Sequence, residues 1–521
     1  MVQLKNATLT LLVAFLLGSA SYTKAQTYNY IPDSSFSTIG IKTFIYYNIM
    51  DRLFDSKLQA DGKLITVGFA RNPSSGSFDI PVSRHLPNGD FDTTFNSTGT
   101  LFIPSGSFSS FNDVHPRIAF DSNGKIIIAS NRNGSGSMDI MVCRIDTNGH
   151  LDPSFNGTGI LVFDVNGTNT ESDIAGAVDV DAQNNIWVAA TTKNGTANAD
   201  NDFVVAKILP NGTLDANFNS NGRKTFTPNT NENYCHAILA DSNGKILIGG
   251  TSGNNMYVFR IDSTGAADPG FNTTGAVTIA FSSATDLVAM DFDNNGKIVI
   301  SGRYAVLGVS LVFVRLNTNG QTDNTFGFFG KFTINIGSTS STISAMQIQA
   351  DNKIVVAGYT IDTVQASDFL AVRIAANGTL DLSFNGVGYV SQNIIAGPVN
   401  EYCYGFAMNP DESILLSGVV AYSPVSNEDA AIVKLKPVLV TGLDILSNPE
   451  NTIRVYPNPF TNMLDIVSQN DDQMWLTDIT GKRVHSVNVL TGINHTDVSH
   501  LPAGIYFLHG NNTSGLKLIK K

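Results

Sequence analysis

One motif recurs seven times along this chain of 521 residues, and it restricts the possible folds more than any other feature. The motif reads Asp-x-x-Phe-x-x-x-Gly, and successive copies begin 53 to 63 residues apart. The copies begin at Asp33, Asp92, Asp152, Asp215, Asp268, Asp323 and Asp381. Self-similarity at a steady period is typical of proteins that stack copies of one supersecondary unit.

Each copy carries the signals of four short strands. A turn such as Asn123-Gly124-Lys125 leads into an apolar run, and after a variable stretch a second apolar run ends in a basic residue. Asn-Gly and Asp-Gly pairs favour the positive φ angles of tight hairpins. Because no copy shows the apolar period of a helix, we predict an all-β fold. Four-stranded units in this number indicate a seven-bladed β-propeller over residues 26–436, which protects its sheet edges by radial repetition.

A single cation ends the last apolar run of every unit. In six units it precedes the next motif Asp by eight residues, whereas Lys434 has no motif Asp after it and Asp33 has no cation before it. An unpaired buried charge costs on the order of several kcal/mol, so each cation needs an acidic partner. We therefore predict structural ion pairs at the blade junctions, the last of which closes the ring, rather than catalytic or metal-binding charges. The pairs are Arg84–Asp92, Arg144–Asp152, Lys207–Asp215, Arg260–Asp268, Arg315–Asp323, Arg373–Asp381 and Lys434–Asp33.

The units resemble the delta-60 repeat, a propeller-type repeat with a DGKI-x-V-x-G strand and an LD-x-SF segment. The segment 380–384, which reads LDLSF, is close to this pattern, and the similarity extends over residues 33–436. The turns at 184–185 and 412–413 depart from it, because they lack the glycine. The resemblance implies a fold but no agreed chemistry.

The N-terminus has the form of a secretory signal peptide, predicted at residues 1–25. Lys5 is followed by a short apolar run and then by the small-residue site Thr23-Lys24-Ala25. The run is too short to span a bilayer. Removal of Lys5 and Lys24 takes the formal net charge from −12 to −14, which disfavours nucleic acid as a partner. The chain has three cysteines, in separate repeats, and we expect them to be small buried apolar side chains rather than disulfide partners.

The repeat stops after Lys436, and a linker at 437–448 leads to a compact unit at 449–521. Its alternating apolar runs predict a small Ig-like β-sandwich. The unit resembles the type A sorting domain of the type IX (Por) secretion system of Bacteroidetes. The residues that carry the resemblance are Tyr456, Pro457, Asn458, Pro459, Gly481, Lys482, Gly504, Tyr506 and Lys520. The resemblance implies that the type IX machinery is a partner and that the domain is cleaved after export, with the passenger released or attached to the surface. The alternative is an ordinary adhesive sandwich.

The sequence shows no catalytic set, no metal site and no cofactor motif. The chain has eight histidines, no two of those in the repeats have zinc-ligand spacing, and phosphate loops and nucleophile elbows are absent. One rim of the propeller has variable loops, which is where ligands usually bind. Acids stand near the start of the second strand of most units there: Asp51, Asp113, Glu171, Glu232, Asp286 and Glu401. They are either solvated turn residues or a face for a polar ligand or a cation such as calcium.

Two classes of function therefore stay open. We favour a secreted or cell-surface monomer that acts as a binding or adhesion module for a glycan or a protein. The rival is a polysaccharide-degrading enzyme, a lyase or glycosidase, on a propeller scaffold. Against it, Trp187 is the only Trp of the repeats, and no aromatic platform for sugars recurs. A carboxylate pair or a His/Tyr pair that converges in the central funnel would favour the enzyme.

Overall fold

A computed structural model describes most of the chain between Gln26 and Lys521. The described residues are 26–47, 49–106, 115–133, 137–167, 172–193, 201–230, 232–305, 309–336, 340–361, 367–397, 399–423, 427–440, 454–456, 460–468, 471–510 and 516–521. The predicted signal peptide, most of the predicted linker, Asp113, Glu171 and residues 457–459 lie outside these ranges. The described chain is all-β, as predicted, and no helix in it has the length and apolarity to cross a bilayer.

Twenty-nine strands precede residue 440 in the described part of the chain. The first are β1 (Tyr28–Pro32), β2 (Ile41–Phe44), β3 (Asp51–Leu58), β4 (Leu64–Arg71), β5 (Phe78–His85), β6 (Thr100–Gly106), β7 (Arg117–Phe120), β8 (Ile126–Asn133), β9 (Met138–Ile145) and β10 (Ile160–Phe163). There follow β11 (Asp173–Val180), β12 (Ile186–Lys193), β13 (Asn201–Ile208), β14 (Arg223–Phe226), β15 (Asn233–Ala240), β16 (Ile246–Ser252), β17 (Asn255–Ile261), β18 (Ala276–Ile279), β19 (Thr285–Phe292) and β20 (Ile298–Ala305). The last are β21 (Val309–Leu316), β22 (Lys331–Ile334), β23 (Ser340–Ile348), β24 (Ile354–Ile361), β25 (Ser367–Ile374), β26 (Tyr389–Gln392), β27 (Asn400–Met408), β28 (Ile414–Ser423) and β29 (Asn427–Leu439).

These strands form antiparallel four-stranded meanders around a central ring. Five sheets have four strands each: β3-β4-β5-β6, β7-β8-β9-β10, β11-β12-β13-β14, β15-β16-β17-β18 and β19-β20-β21-β22. A nine-stranded sheet joins β23-β24-β25-β26 to β27-β28-β29 with β1 and β2, through one parallel bridge between Ser367 and Asn400. The first strands β3, β7, β11, β15, β19, β23 and β27 contact one another in that order, and β27 returns to β3. They are therefore the inner strands of a propeller.

The outer strand of each sheet comes from the following repeat. β6, for example, begins directly after the motif residue Gly99 and pairs with β5. The last sheet has no following repeat, and the N-terminal segment takes that place. β2 pairs with β29 from Ile41↔Val433 onwards, and β1 pairs with the far end of the same strand. The two ends of the repeat region thus meet in one sheet.

The apolar core lies between neighbouring sheets. Every motif phenylalanine is at most 1% exposed: Phe36, Phe95, Phe155, Phe218, Phe271, Phe326 and Phe384. The turn glycine of the next repeat packs against this ring. Gly149 has φ 92°, and a Cβ there would lie 2.7 Å from the ring of Phe95, so no other residue fits without strain. Cys143, Cys235 and Cys403 are buried and free, as predicted.

The C-terminal unit contains two sheets that share one core. Its described strands are β30 (Arg454–Tyr456), β31 (Met463–Ser468), β32 (Asp472–Asp478), β33 (Arg483–Val489), β34 (Gly492–Asp497), β35 (Gly504–Gly510) and β36 (Leu516–Lys520). The sheets have the orders β30-β31-β34 and β33-β32-β35-β36. Leu464, Leu476 and Leu508 are at most 1% exposed in the core between them.

Candidate ligand site in the central funnel

The cations that end the fourth strands lie against the motif aspartates. The nitrogen-to-oxygen distances are 2.8 Å for Arg84–Asp92, Arg144–Asp152, Lys207–Asp215, Arg260–Asp268 and Arg373–Asp381, 2.7 Å for Arg315–Asp323 and 3.1 Å for Lys434–Asp33. In Arg84 the guanidinium also lies 4.9 Å from the centre of the Phe95 ring and donates to the Thr147 carbonyl of the next unit. One side chain thus links a strand, a turn and the neighbouring sheet.

A second cation, predicted only as part of a turn, also reaches the motif aspartate. The Gly-Lys turn lysines Lys63, Lys125 and Lys297 lie 3.2, 2.6 and 2.8 Å from Asp92, Asp152 and Asp323. The lysine is missing at Asn185 and Ser413, where the turns also lack glycine and Asn184 and Glu412 adopt positive φ instead. The recurrence of lysine at this turn position is the sequence signal from which its contact with the motif aspartate could have been predicted.

We expect the protein to lose stability steeply as the pH falls below 4. Burial alone would raise the pKa of Asp92, but hydrogen bonds from Thr94 and the charges of Lys63 and Arg84 outweigh it and lower the pKa to about 2. The unfolded carboxyl has a pKa of about 3.9, so the stabilisation is complete above that value and is lost between about pH 4 and pH 2. The melting temperature at pH 7, 4, 3 and 2.5 measures this loss. Asp92→Asn is expected to melt lower at pH 7 and to show a shallower acid limb, and an unchanged limb would contradict the assignment.

The proposed acidic rim is not one exposed surface among the described residues. Asp51 and Glu401 are fully buried, and their carboxylates accept backbone hydrogen bonds from the loop before their strand. Burial raises the pKa of Glu401 to about 7, despite hydrogen bonds from the amides of Ile394 and Ile395 at 2.8 Å. These two acids anchor loops instead of facing a ligand.

The other described rim acids lie in different settings. Glu232 is exposed and accepts a hydrogen bond from Asn201, and Asp286 lies 3.2 Å from Arg303.

The Asp-rich turns use their carboxylates for their own backbone. In the turn that begins at Asp121, the Oδ1 of Asp121 accepts from the amides of Asn123 and Lys125. No group of three or more His, Cys, Asp or Glu side chains that could hold a metal ion occurs within the described ranges.

A β-bulge occurs at one position of six inner strands. The register shifts at Leu53/Asp55, Ala175/Ala177, Cys235/Ala237, Leu287/Ala289, Ile343/Ala345 and Cys403/Gly405. The extra residues are Phe54, Gly176, His236, Val288, Ser344 and Tyr404, and all six line one cavity of about 510 Å³. Bulges re-aim side chains and are frequent beside functional sites. We call this cavity the funnel.

The funnel is lined with cations. Arg52, Arg117, Lys193 and Arg303 line it from four different sheets. Arg52 donates to both oxygens of Glu428, at 2.5 and 2.6 Å, whereas the Nε of Arg117 donates to the Gly176 carbonyl at 3.3 Å.

An aromatic wall stands beside these cations. His115 stacks on Phe54 with ring centres 4.5 Å apart, and Tyr404 lies 5.2 Å from Phe54 and 6.0 Å from His115. Tyr359 packs on Tyr402 at 4.9 Å. These rings occupy different positions in different repeats, so a search for a recurring aromatic position does not find them.

Both funnel histidines are neutral at pH 7. Burial lowers the pKa of His115 to about 3, and Arg117, His236 and Arg52 add to the shift. Burial also lowers the pKa of His236 to about 4, helped by Arg303 and Arg117. Burial raises the pKa of Tyr404, so its hydroxyl keeps its proton. A His/Tyr pair thus converges in the funnel.

The sequence signal for the funnel is variation within an otherwise constant repeat. Each bulge residue stands nine positions before the last residue of the Gly-Lys turn or its equivalent, as in Phe54–Lys63 and Tyr404–Ser413. The opposite mouth of the central channel holds a cavity of about 840 Å³, and residues of the more uniform turns, such as 59–62 and 409–412, contribute to its lining. The funnel is therefore the stronger ligand site.

The residues of the sorting motif are dispersed over the C-terminal unit. Tyr456 ends β30, Gly504 begins β35, and Gly481 has φ 84° in the turn before Lys482. Tyr506 is buried and donates to the Pro502 carbonyl at 2.7 Å. Lys520 is also buried, and its Nζ donates to the Val498 and Ser499 carbonyls. Pro457, Asn458 and Pro459 lie outside the described residues.

Two known families match parts of the chain. The β-propeller domain of unknown function DUF5122 matches residues 59–95, 122–155, 185–218, 242–271, 294–326 and 349–384. The secretion system C-terminal sorting domain matches residues 454–521. Both recognitions made from the sequence are thereby confirmed. No curated protein matches the chain.

Solved structures with distant similarity include several propellers. The β-propeller domain of the Trilobed protease from Pyrococcus furiosus is 9% identical, over 77% of this chain and 99% of that one, with a TM-score of 0.39. A PL25 ulvan lyase is 12% identical, over 76% and 95%, with a TM-score of 0.43. PorZ of Porphyromonas gingivalis, a surface component of the type IX secretion system, is 10% identical, over 90% and 81%, with a TM-score of 0.22. None of these likenesses bears on the function of this chain.

Proposed function

We propose that this chain, a protein of DUF5122 β-propeller repeats with a secretion system C-terminal sorting domain, is a monomeric binding module whose extracellular ligand enters the funnel. The sorting domain directs it through the type IX machinery to the cell surface or the medium. The observation that carries the proposal is the convergence of six bulge residues, different in type, on one cavity.

The contrast between constant and variable positions supports this role. The motif Phe and Asp and their cations recur because every unit packs in the same way. The six bulge residues differ between units, although the same backbone position presents them. A rigid scaffold that carries variable side chains at one concave mouth is typical of a ligand site.

We expect Tyr404→Ala to weaken ligand binding at least about tenfold, because it removes a large ring from the funnel wall. Ligands found in a glycan and protein binding screen of the purified protein would be titrated against both proteins. Tyr422→Ala is the matched control, since Tyr422 is exposed near the end of β28 and does not line the funnel. Equal affinities of Tyr404→Ala and the unmodified protein, at unchanged melting temperatures, would refute the proposal.

A second candidate is a polysaccharide lyase, and the His115–Tyr404 pair favours it. A neutral His115 can take the proton next to a sugar carboxylate whose charge an arginine balances. The electron pair forms a C=C bond, the bond to the leaving oxygen breaks, and Tyr404 can supply a proton to that oxygen. Ultraviolet absorbance of the unsaturated product, which His115→Ala would abolish, tests this candidate. If the protein binds a polysaccharide but forms no unsaturated product, the lyase is excluded and the binding module remains.

A further inference from the structure

We propose that the funnel ligand is an acidic glycan, and that Arg117 and Arg303 hold the carboxylate or sulfate of one of its sugars. The inference rests on the proposed function, because it names the ligand class of the same funnel. The charges of the funnel, its free donors and its aromatic wall each support it.

The funnel is positive in a protein whose formal net charge is −12. Four cations line it, and no Asp or Glu among the described residues does so. Glu428 and Asp286 stand nearby and balance Arg52 and Arg303. Arg117 and Lys193 form no ion pair within the described parts of the chain. Clefts lined by one sign of charge concentrate ligands of the opposite sign.

The two arginines keep donors available for a ligand. The Nε of Arg303 is buried, and no described residue accepts a hydrogen bond from it. Arg117 uses its Nε for a carbonyl at 3.3 Å and forms no ion pair among the described residues. Burial lowers the pKa of Arg117, and the charge of Asp55 acts against that shift without a direct contact. Guanidinium groups bind planar or branched oxyanions with paired hydrogen bonds that are shorter and stronger than neutral ones.

The aromatic wall suits a sugar ring. Tyr359 and Tyr404 line the funnel with Phe54 and His115, and the apolar faces of sugar rings pack on such surfaces. A cavity of about 510 Å³ falls in the range of small-ligand sites, about 300–1,000 Å³. Cations next to aromatic rings select a sugar that carries an acidic group.

Nucleic acid fits these observations less well. It carries a charge on every nucleotide, and the net charge of −12 repels a long polyanion from the surface around the funnel. A glycan that carries its charge on some of its sugars can place one acidic unit in the funnel and keep the rest of its length away from the protein.

The test is a titration of the full chain with three oligosaccharides of one backbone: a uronate form, its carboxyl-reduced neutral form and a sulfated form. We expect the uronate or the sulfated form to bind at least about tenfold more tightly than the neutral form. Arg117→Gln and Arg303→Gln should each remove about tenfold of that affinity. Arg71→Gln is the control, since it makes the same substitution at an arginine that ends β4, is exposed and does not line the funnel.

The outcomes separate this inference from the proposed function. Equal binding of all three forms, with a loss in Tyr404→Ala, overturns the acidic ligand and leaves the funnel as the site. Binding that no funnel variant changes overturns both. A single-stranded oligonucleotide that binds as tightly as the acidic glycans also overturns the ligand class. If Arg117→Gln lowers the melting temperature, the affinity of Arg303→Gln for the acidic glycans tests the inference instead, since the Arg303 side chain is 41% exposed and its replacement should not disturb the fold.

Discussion

A chain without residues 454–521 is expected to stay inside the cell envelope instead of reaching the surface or the medium. These residues form the sorting domain, and the rest of the chain contains no other match to an export domain of this system. Immunoblots of medium, surface-digested cells and periplasm would measure the distribution, and we expect an almost complete loss outside the cell.

The control for this deletion keeps the sorting domain and changes its surface. Ile479 is 74% exposed in the turn after β32, so Ile479→Ser should leave the fold and export unchanged. Equal amounts of the truncated and full chains outside the cell would show that the passenger carries its own export signal.

Asp33→Ala is expected to destabilise the protein by about 3 kcal/mol, the low end of the range for a broken buried ion pair. The carboxylate contacts Lys434 at 3.1 Å and Lys436 at 3.2 Å and is 8% exposed, so its loss leaves two cations together. The low end applies because Lys436 is 41% exposed and can turn to solvent. Chemical denaturation of the purified protein measures the free energy of unfolding.

Asp90→Ala is the matched control for the ring closure. Asp90 lies 3.0 Å from Lys42, also on the N-terminal segment, but its side chain is 60% exposed. Solvent screens exposed pairs of this kind, so we expect Asp90→Ala to change the free energy of unfolding much less than Asp33→Ala does. If the two variants lost the same free energy, Asp33 would not be the residue that holds the first and last repeats together.

The sequence was most informative where every repeat meets the same physical demand. Each motif Phe must fill the same space between sheets, and each cation near it needs an anion, so both recur with constant spacing. The unmatched Lys434 and Asp33 were recognisable because they were the leftover members of that pattern. The structure has them 3.1 Å apart.

The funnel was not predictable by the same means. A bulge is set by the pairing of β3 with β4, not by the residues around Phe54 alone, and it decides which side chain enters the channel. Arg117 occupies the position in β7 that Asp55 occupies in β3, so the funnel cations do not recur at one position of the repeat. The burial of Asp51 and Glu401 was not predictable either, because the amides that their carboxylates accept from lie in loops of irregular sequence.

The closing strand also determines how the protein would carry mechanical load at a cell surface. A pull through the C-terminal segment runs along β29, which is flanked by β28 on one side and by β1 and β2 on the other. β1, β2 and β28 each pair with β29 in antiparallel orientation, and all of these strands run along the direction of the pull. Their hydrogen bonds are therefore loaded together in shear instead of breaking one at a time. The strand pairs that close the propeller therefore also carry the load when the protein is held by its C-terminal end.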